Sequence, residues 1–414
     1  MSDYEHIFEE AESRINSIRK GDLTVKVVKD NKPVNDVTVE IRQKRHQFLF
    51  GANCFSAGGF PNEEDNARYT ELFTGIFNFA TLPFYWSSYE KERGRKSVDN
   101  VKRLAAWCRE NNLTAKGHPL VWHQTLPGWI REDEDIRELT RDRIIDIIGE
   151  FKDDIKWWDA VNEITVAQRA GNQISRWAAH DGCLNVLREV VSTVLSCDPE
   201  ANLLINEFNF SDEGAYDRLL EELKENNVPI KAVGMQSHMH EGMWPLETVW
   251  KLCNRFSQFG WPLHFTELSV LSGKAKGKID FLSQTGNEWI VGVEYEAEQE
   301  KYVRDLYTLL FSHPAVEAIT WWDIADGCWL QAPSGLIRKD LTPKRAYNAL
   351  YELIRQKWWT DTSGSTDSEG CFTVNAFYGE YEISVQRNGY KKRVEYNLRK
   401  GCDAEAENEL IIKI

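Results

Sequence analysis

The sequence contains no run of about 18 apolar residues, the length a membrane-spanning helix needs, so no transmembrane segment is expected. Its opening stretch, MSDYEHIFEEAESRINSIRK, lacks the basic start and apolar centre of a secretory leader. The chain is therefore expected to be cytoplasmic as written, or secreted if a leader has been removed. Basic charge is in deficit: 50 Lys and Arg against 65 Asp and Glu leave a net charge of −15. Such a surface repels nucleic acid and anionic lipid, so neither is an expected partner, whereas a neutral ligand is compatible. The eight cysteines, at 54, 108, 183, 197, 253, 328, 371 and 402, never fall in a C-x-x-C or Cys/His metal spacing. They are expected to be free and buried, with no metal and no cofactor. No internal repeat is visible, and nothing in the pattern fixes an oligomeric state.

What the chain has in quantity is tryptophan, 16 in 414 residues. Some of these must be core mass. Others suit flat apolar platforms with polar rims, which match the apolar C–H faces of sugars. At 414 residues and 42% hydrophobic, the chain is long enough for one large barrel plus a small extra module.

The ends and the middle have different periodicities. Helical spacing over 5–19 predicts an N-terminal helix within 1–21. DLTVKVVKD and VTVEIRQKR then alternate apolar and polar residues around NKPVND, which predicts a hairpin. TDTSGSTDSEG (360–370) reads as a linker-like turn cluster. The strands CFTVNAF, YEISVQRNG and KKRVEYNL follow it. Residues 22–45 and 360–414 are expected to form one discontinuous β-sandwich, the alternative being two separate β extensions. Between them, 46–359 alternates short apolar strands with helices. The strands are FLFGANCF, FNFATLPFYW, LTAKGHPLVW, IKWWDAVNE, ANLLINEF, IKAVGMQSH, PLHFTELSV and AITWWDIAD. Eight strand–helix units predict an α/β fold, a (β/α)8 TIM barrel, with the accessory sandwich built from the N- and C-terminal strands.

Polar residues close these apolar runs: His118, Asn162-Glu163, Asn206-Glu207, Gln236-Ser237-His238, Glu267 and Asp323. In a TIM barrel the C-terminal strand ends carry the active site. Glu163 and Glu267 fall on the fourth and seventh strands, across the mouth from one another. A gap of roughly 5–5.5 Å between such carboxylates suits a retaining glycosidase. The structural alternative pairs each glutamate with an arginine. A metal-dependent hydrolase built on His238-Met239-His240 is a rival, as is a non-catalytic carbohydrate-binding protein.

The stretches HPLVWHQTLPGW, WWDAVNE, LLINEFN, VGMQSH, HFTEL, WWDIADGCW and TPKRAYNAL occur in the order and spacing of glycoside hydrolase family 10, the (β/α)8 xylanases, which the chain resembles over about 46–356. The resemblance implies a retaining endo-1,4-β-xylanase-like hydrolase of oligo- or polysaccharides. It implies Glu163 as acid/base and Glu267 as nucleophile. Asn162 matches the residue that bonds the 2-OH of the sugar being cleaved. His118, Trp122, Gln236 and His238 match further residues around that sugar, and Trp322 and Trp329 match tryptophans that wall the cleft. The chain also departs from the family. Where it usually shows Thr-x-Glu-Asn-x-x-Lys-Trp, this sequence reads Thr81-Leu82-Pro83-Phe84-Tyr85-Trp86-Ser87-Ser88. The distal glycone subsite is thus expected to be altered, with Phe84, Tyr85 and Trp86 able to close it, which leaves endo- and exo-action both open. Ser269 stands where an Asp is usual and Asp323 where a Gly is usual. Asp323 is expected either to touch sugar or to pair with an arginine.

Overall fold

A computed structural model describes residues 3–210, 214–281, 285–400 and 409–414. The chain divides into two compact units. One comprises Phe50–Tyr302 and Ala315–Tyr347, the other Met1–Leu49, Val303–Pro314 and Asn348–Ile414. Among the described residues no helix is long and apolar enough to cross a membrane.

The first unit is built on eight parallel strands: β1 (Leu49–Asn53), β2 (Phe79–Pro83), β3 (Thr114–His118), β4 (Trp157–Asn162), β5 (Asn202–Glu207), β6 (Ala232–Met235), β7 (Leu263–Val270) and β8 (Val316–Asp323). Their order is β6-β5-β4-β3-β2-β1-β8-β7. The ring closes where β6 meets β7, with Val233 opposite Leu263 and Met235 opposite Phe265. Each expected apolar run supplies one strand, so the barrel predicted from the alternation is present. The strands are apolar on both faces because helices cover them outside and side chains fill them inside. The helices show the complementary pattern. Ala215–Glu225 buries Tyr216, Leu219, Leu220 and Leu223, one stripe at helical spacing. Asn62 caps Glu63–Ile76 by accepting from the Asp65 backbone N–H at 2.7 Å, ahead of three acids in the first turn.

Packing inside the barrel is tight. Trp158 is fully buried, and its ring meets Phe84 with centroids 5.1 Å apart. Gly117 lies opposite it in register, and a Cβ at 117 would sit 2.2 Å from the Trp158 ring. Only a glycine fits. Gly117→Ala is expected to destabilise the protein by about 3 kcal/mol through overpacking, read as a lowered midpoint in chemical denaturation.

The second unit holds two four-stranded sheets. In one, Lys20–Lys29 pairs with Cys371–Phe377, with Lys32–Pro33 and, in parallel, with Glu409–Lys413. The other runs Asp361–Ser365, Thr38–His46, Gly379–Arg387, Tyr390–Leu398. Leu23, Val25 and Val27 of the first sheet share one buried cluster with Val39, Ile41, Ile383 and Val385 of the second. The sheets therefore form a sandwich.

Its wiring differs from the expected hairpin. Lys20–Lys29 turns at Asp30 and Asn31, both in the left-handed region, and the returning chain pairs with it only over Lys32–Pro33. The chain then crosses, and Thr38–His46 enters the opposite sheet. Two adjacent alternating strands can bury their apolar faces against each other across a core as well as edge to edge, and the period alone does not distinguish these. Residues 361–365, expected as linker, form an edge strand on Thr38–His46. Its small polar residues suit that half-exposed position, and a Cβ at Gly364 would lie 2.2 Å from the Phe372 ring. The N-terminal stretch forms two short helices, Asp3–Glu9 and Ala11–Ile18, and residue 20 already begins a strand. Residues 401–408, part of the stretch expected to belong to the sandwich, lie outside the described residues. So does Cys402; the other seven cysteines are free, but Cys328 is exposed and only Cys54, Cys108 and Cys253 are buried.

Five histidines are buried in forms that resist protonation. Burial lowers His46, His123 and His313 to about 4 and His240 and His264 to about 3. Unfolded, each takes up a proton near pH 6.5. Across the window from there down to the folded values the unfolded chain binds more protons. Stability therefore rises with pH in that window and is lost on acidification. Glu207, pushed up to about 8 by burial, acts oppositely, as do Glu163, Asp323 and Asp326, which burial also raises, four groups against five. Calorimetry at constant ionic strength is expected to show the unfolding temperature falling between pH 6.5 and 4.

Candidate active site

The end of β4 is bent sharply. Glu163 has φ 58° and ψ 37°, a left-handed conformation, and a 3₁₀ helix, Ile164–Ala170, follows directly. For a non-glycine residue this costs on the order of 1–3 kcal/mol and persists only where neighbours enforce it. They come from β5. The Glu163 N–H donates to the Asn206 carbonyl at 2.8 Å, and the Thr165 N–H donates to Glu207 Oε1 at 2.7 Å. The turn carries the Glu163 side chain out of strand register at the C-terminal end of the barrel. On β7, the pairing with β8 slips between Phe265 and Leu268. Such a bulge re-aims side chains, here Thr266 and Glu267.

Both glutamates hang on one hydrogen-bond network. Glu163 Oε1 accepts from Asn162 Nδ2 at 3.1 Å and Gln236 Nε2 at 3.0 Å, and Oε2 accepts from Gln124 Nε2 at 3.3 Å. Glu267 Oε1 accepts from Asn206 Nδ2 at 2.6 Å, and Oε2 lies 3.0 Å from His238 Nε2. Asn162 Oδ1 joins the two halves, accepting from Asn206 Nδ2 at 2.8 Å and Gln236 Nε2 at 3.2 Å. Among the described residues neither glutamate pairs with an arginine.

The two carboxylates are tuned in opposite directions. Burial pushes Glu163 up, the charge of Glu267 adds to this, and the Gln236 hydrogen bond opposes it. Burial would also raise Glu267, but His118, His238 and the more distant Lys116 outweigh it and hold it below its ordinary value. Behind Glu267 runs a buried ionic chain. The Lys116 Nζ lies 2.9 and 3.1 Å from the Asp159 carboxylate, His118 Nδ1 lies 2.5 Å from Asp159 Oδ2, and His118 Nε2 lies 3.9 Å from Glu267 Oε1. Lys116 has no exposed surface. Paired charges of this kind survive burial only together.

Aromatic rings surround these groups. Trp322 meets His118 and His238 edge-on at 5.2 and 5.9 Å. Trp329 tilts over His238 at 4.4 Å. Trp122 pairs with Asn162 in register and lies 5.7 Å from Tyr85. All nine residues selected from the sequence thus gather at one mouth. Of the three aromatic residues expected to close the glycone side, only Tyr85 turns toward it. Phe84 is core, packed on Phe151 and Trp158, and the buried Trp86 gives its indole N–H to Glu90. Among the described residues Asp323 pairs with no arginine. It accepts from Asn53 Nδ2 at 3.0 Å and the Trp329 N–H at 3.1 Å. His238 and His240 share Ser269 Oγ, at 3.0 and 3.2 Å. Among the described residues no group of three or more His, Cys, Asp or Glu is arranged to hold a metal ion.

Sequence reasoning gave no role to Asn206, Gln124, Lys116 or Asp159. Asn206 had a signal, as half of a polar pair ending an apolar strand. So did Lys116, a charge inside an apolar run.

A sequence profile described as glycosyl hydrolase family 10 matches residues 44–353, well over half of the chain. The chain belongs to glycosyl hydrolase family 10. Among curated relatives of this family 10 protein, endo-1,4-beta-xylanase B of Thermotoga neapolitana is 25% identical over 324 residues, 73% of this chain and 88% of that protein. The anti-sigma-I factor RsgI6 of Acetivibrio thermocellus is 26% identical over 404 residues, 94% of this chain but 48% of the relative, so the chain spans about half of that protein's length. Among solved structures, xylanase 10B from Thermotoga petrophila in complex with xylobiose superposes with a TM-score of 0.62 at 24% identity, covering 75% of this chain and 95% of that one. A family 10 structure from Paenibacillus barcinonensis gives 0.62 at 22%, covering 74% and 95%. At such identities these superpositions speak for the fold alone.

Proposed function

We propose that this family 10 protein is a retaining β-glycoside hydrolase acting on β-1,4-linked oligo- or polysaccharides of the xylan type, with Glu163 as acid/base and Glu267 as nucleophile. The observation that carries the reading is the opposed tuning of two carboxylates on one network. One is held toward its protonated form and the other toward its ionised form. In the first step a Glu267 oxygen bonds to the anomeric carbon as the C–O bond to the leaving group breaks, and Glu163 gives its proton to the departing oxygen. Esterification removes the charge of Glu267, which had helped keep Glu163 protonated. Glu163 then takes a proton from water, whose oxygen bonds to the anomeric carbon and releases Glu267.

Asn162 bonds the sugar 2-OH, an interaction that strengthens as positive charge develops on the ring. His118, Trp122, Gln236 and His238 surround the same sugar, and Trp322 and Trp329 wall it. Lys116 pairs with Asp159, whose carboxylate holds the His118 ring beside the nucleophile, and the histidines on either side of Glu267 keep it below its ordinary value.

A second reading, a sugar-binding regulatory module without turnover, is favoured by one observation. The relative that matches 94% of the chain bears the name of an anti-sigma factor. Proton NMR of xylo-oligosaccharide digests separates the two. Initial release of the β-anomer supports the proposal. Initial α-anomer, or no cleavage of any β-linked sugar, overturns it.

A further inference from the structure

Along the barrel order β3-β2-β1-β8, each strand end contributes one aromatic side chain at the mouth, and each ring touches the next. Trp122 follows β3 and lies 5.7 Å from Tyr85, which follows β2. Tyr85 meets Phe55, after β1, edge-on at 6.0 Å. Phe55 meets Trp322 of β8 edge-on at 5.7 Å. These rings form an unbroken arc over half of the rim; Trp122 begins it beside Asn162 of β4, and Tyr85, Phe55 and Trp322 carry it round through β2, β1 and β8, away from Glu163. The leaving group of the proposed reaction must lie at Glu163, so the arc stands on the glycone side. The polar residues usual for the family in this region are replaced by Pro83, Phe84 and Ser87. Tyr85 also packs edge-on against His118 at 5.4 Å, which sets its ring immediately beside the sugar being cleaved. Among the described residues its hydroxyl makes no hydrogen bond, and the charges of Glu267, Asp323 and Glu163 all reach it. A half-buried phenol without a partner beside a polyol site is a donor waiting for a ligand oxygen.

We infer that Tyr85, with Phe55 beside it, is the specificity-determining wall of this site. It ends the cleft one sugar beyond the point of attack and takes the terminal hydroxyls of a β-linked saccharide at its non-reducing end. Substrate then extends only toward Glu163, and cleavage releases one residue at a time. The inference rests on the glycosidase reading for turnover but not for binding.

The test uses xylohexaose labelled at its reducing end. Wild type is expected to release xylose first and to leave labelled pentaose. Tyr85→Ala is expected to open the wall, so that labelled di- and trisaccharides appear among the first products. Tyr85→Phe keeps the ring and is expected to retain the single-residue pattern while losing about tenfold in kcat/KM on nitrophenyl β-xyloside. First products of two or three residues from wild type overturn the inference, as does an unchanged pattern in Tyr85→Ala. If nothing is cut, the glycosidase reading fails, and calorimetry still reads the wall. Xylotriose carrying a benzyl cap on its non-reducing end is expected to bind wild type at least tenfold more weakly than uncapped xylotriose, and to bind Tyr85→Ala without that penalty. Equal affinities for wild type overturn the inference.

Discussion

Replacing Glu267 with alanine is expected to lower turnover of a nitrophenyl β-xyloside on the order of 10⁵-fold while leaving the fold intact. The magnitude follows from the role. Without the carboxylate no glycosyl-enzyme forms, and the remaining groups can only bind and polarise the sugar, so removal of a nucleophile costs most of the chemical acceleration. Such a loss corresponds to about 7 kcal/mol of transition-state stabilisation. The structural cost is small. The residue is only 5% exposed, but its partners Asn206 and His238 keep other bonds, to Asn162 and to Ser269. Circular dichroism and the denaturation midpoint check the fold, and initial rates check the chemistry. Added azide is expected to restore some turnover of Glu267→Ala, with the product now the α-glycosyl azide, because the small anion attacks from the face the carboxylate has vacated. Residual activity within tenfold of wild type would remove Glu267 from the reaction.

The second large effect is expected at Glu163, and it depends on substrate. Glu163→Ala removes the proton donor, so substrates with poor leaving groups, such as xylobiose, are expected to slow by about 10³ to 10⁴-fold. A dinitrophenyl glycoside, whose phenolate leaves without a proton, is expected to form the glycosyl-enzyme at near wild-type rate and then stall for want of a base. The pH profile provides a second check. Under the proposed mechanism the wild-type rate needs Glu267 ionised and Glu163 protonated, so it is expected to rise through the lowered Glu267 value and fall through the raised Glu163 value. The alkaline limb belongs to Glu163 and is expected to vanish in Glu163→Ala, while the acid limb remains. An alkaline limb that survives would assign it to another group, and Glu207, at about 8, is the nearest in character.

Much of this was legible in the chain because barrels write themselves locally. Each strand is a short apolar run, both faces buried, and each ends in the polar residue that the mouth requires. Asn162-Glu163 ends such a run, and its place at the mouth could be read without knowing any partner. The sandwich was less legible. Lys20–Lys29 and Thr38–His46 have the same alternation whether they pair or face one another, and the partners that decide between these lie more than 300 residues away. The edge strand Asp361–Ser365 carries turn-type residues because the solvent side tolerates them. Within the site, side-chain direction was the hidden variable. Phe84, Tyr85 and Trp86 look alike in sequence, but only Tyr85 reaches the mouth, because the strand ends at Pro83 and a short helix starts at Trp86, so the chain turns between the three rings. The second layer was hidden for another reason: Asp159 and Lys116 matter through each other, and β3 and β4 become neighbours only once the helix Ile136–Phe151 between them has folded back.

The strand Lys20–Lys29 has consequences for how the protein is made. Its antiparallel neighbour begins at Cys371, some 340 residues later, and its parallel neighbour at Glu409. At about 5–20 residues per second of translation, the nascent strand waits roughly 20–70 s before its neighbour has been synthesised. During that interval an alternating Leu-Val-Val edge is open to other chains on the same polysome. Co-translational yield should therefore depend on chaperone occupancy of this early segment more than on any step in closing the barrel.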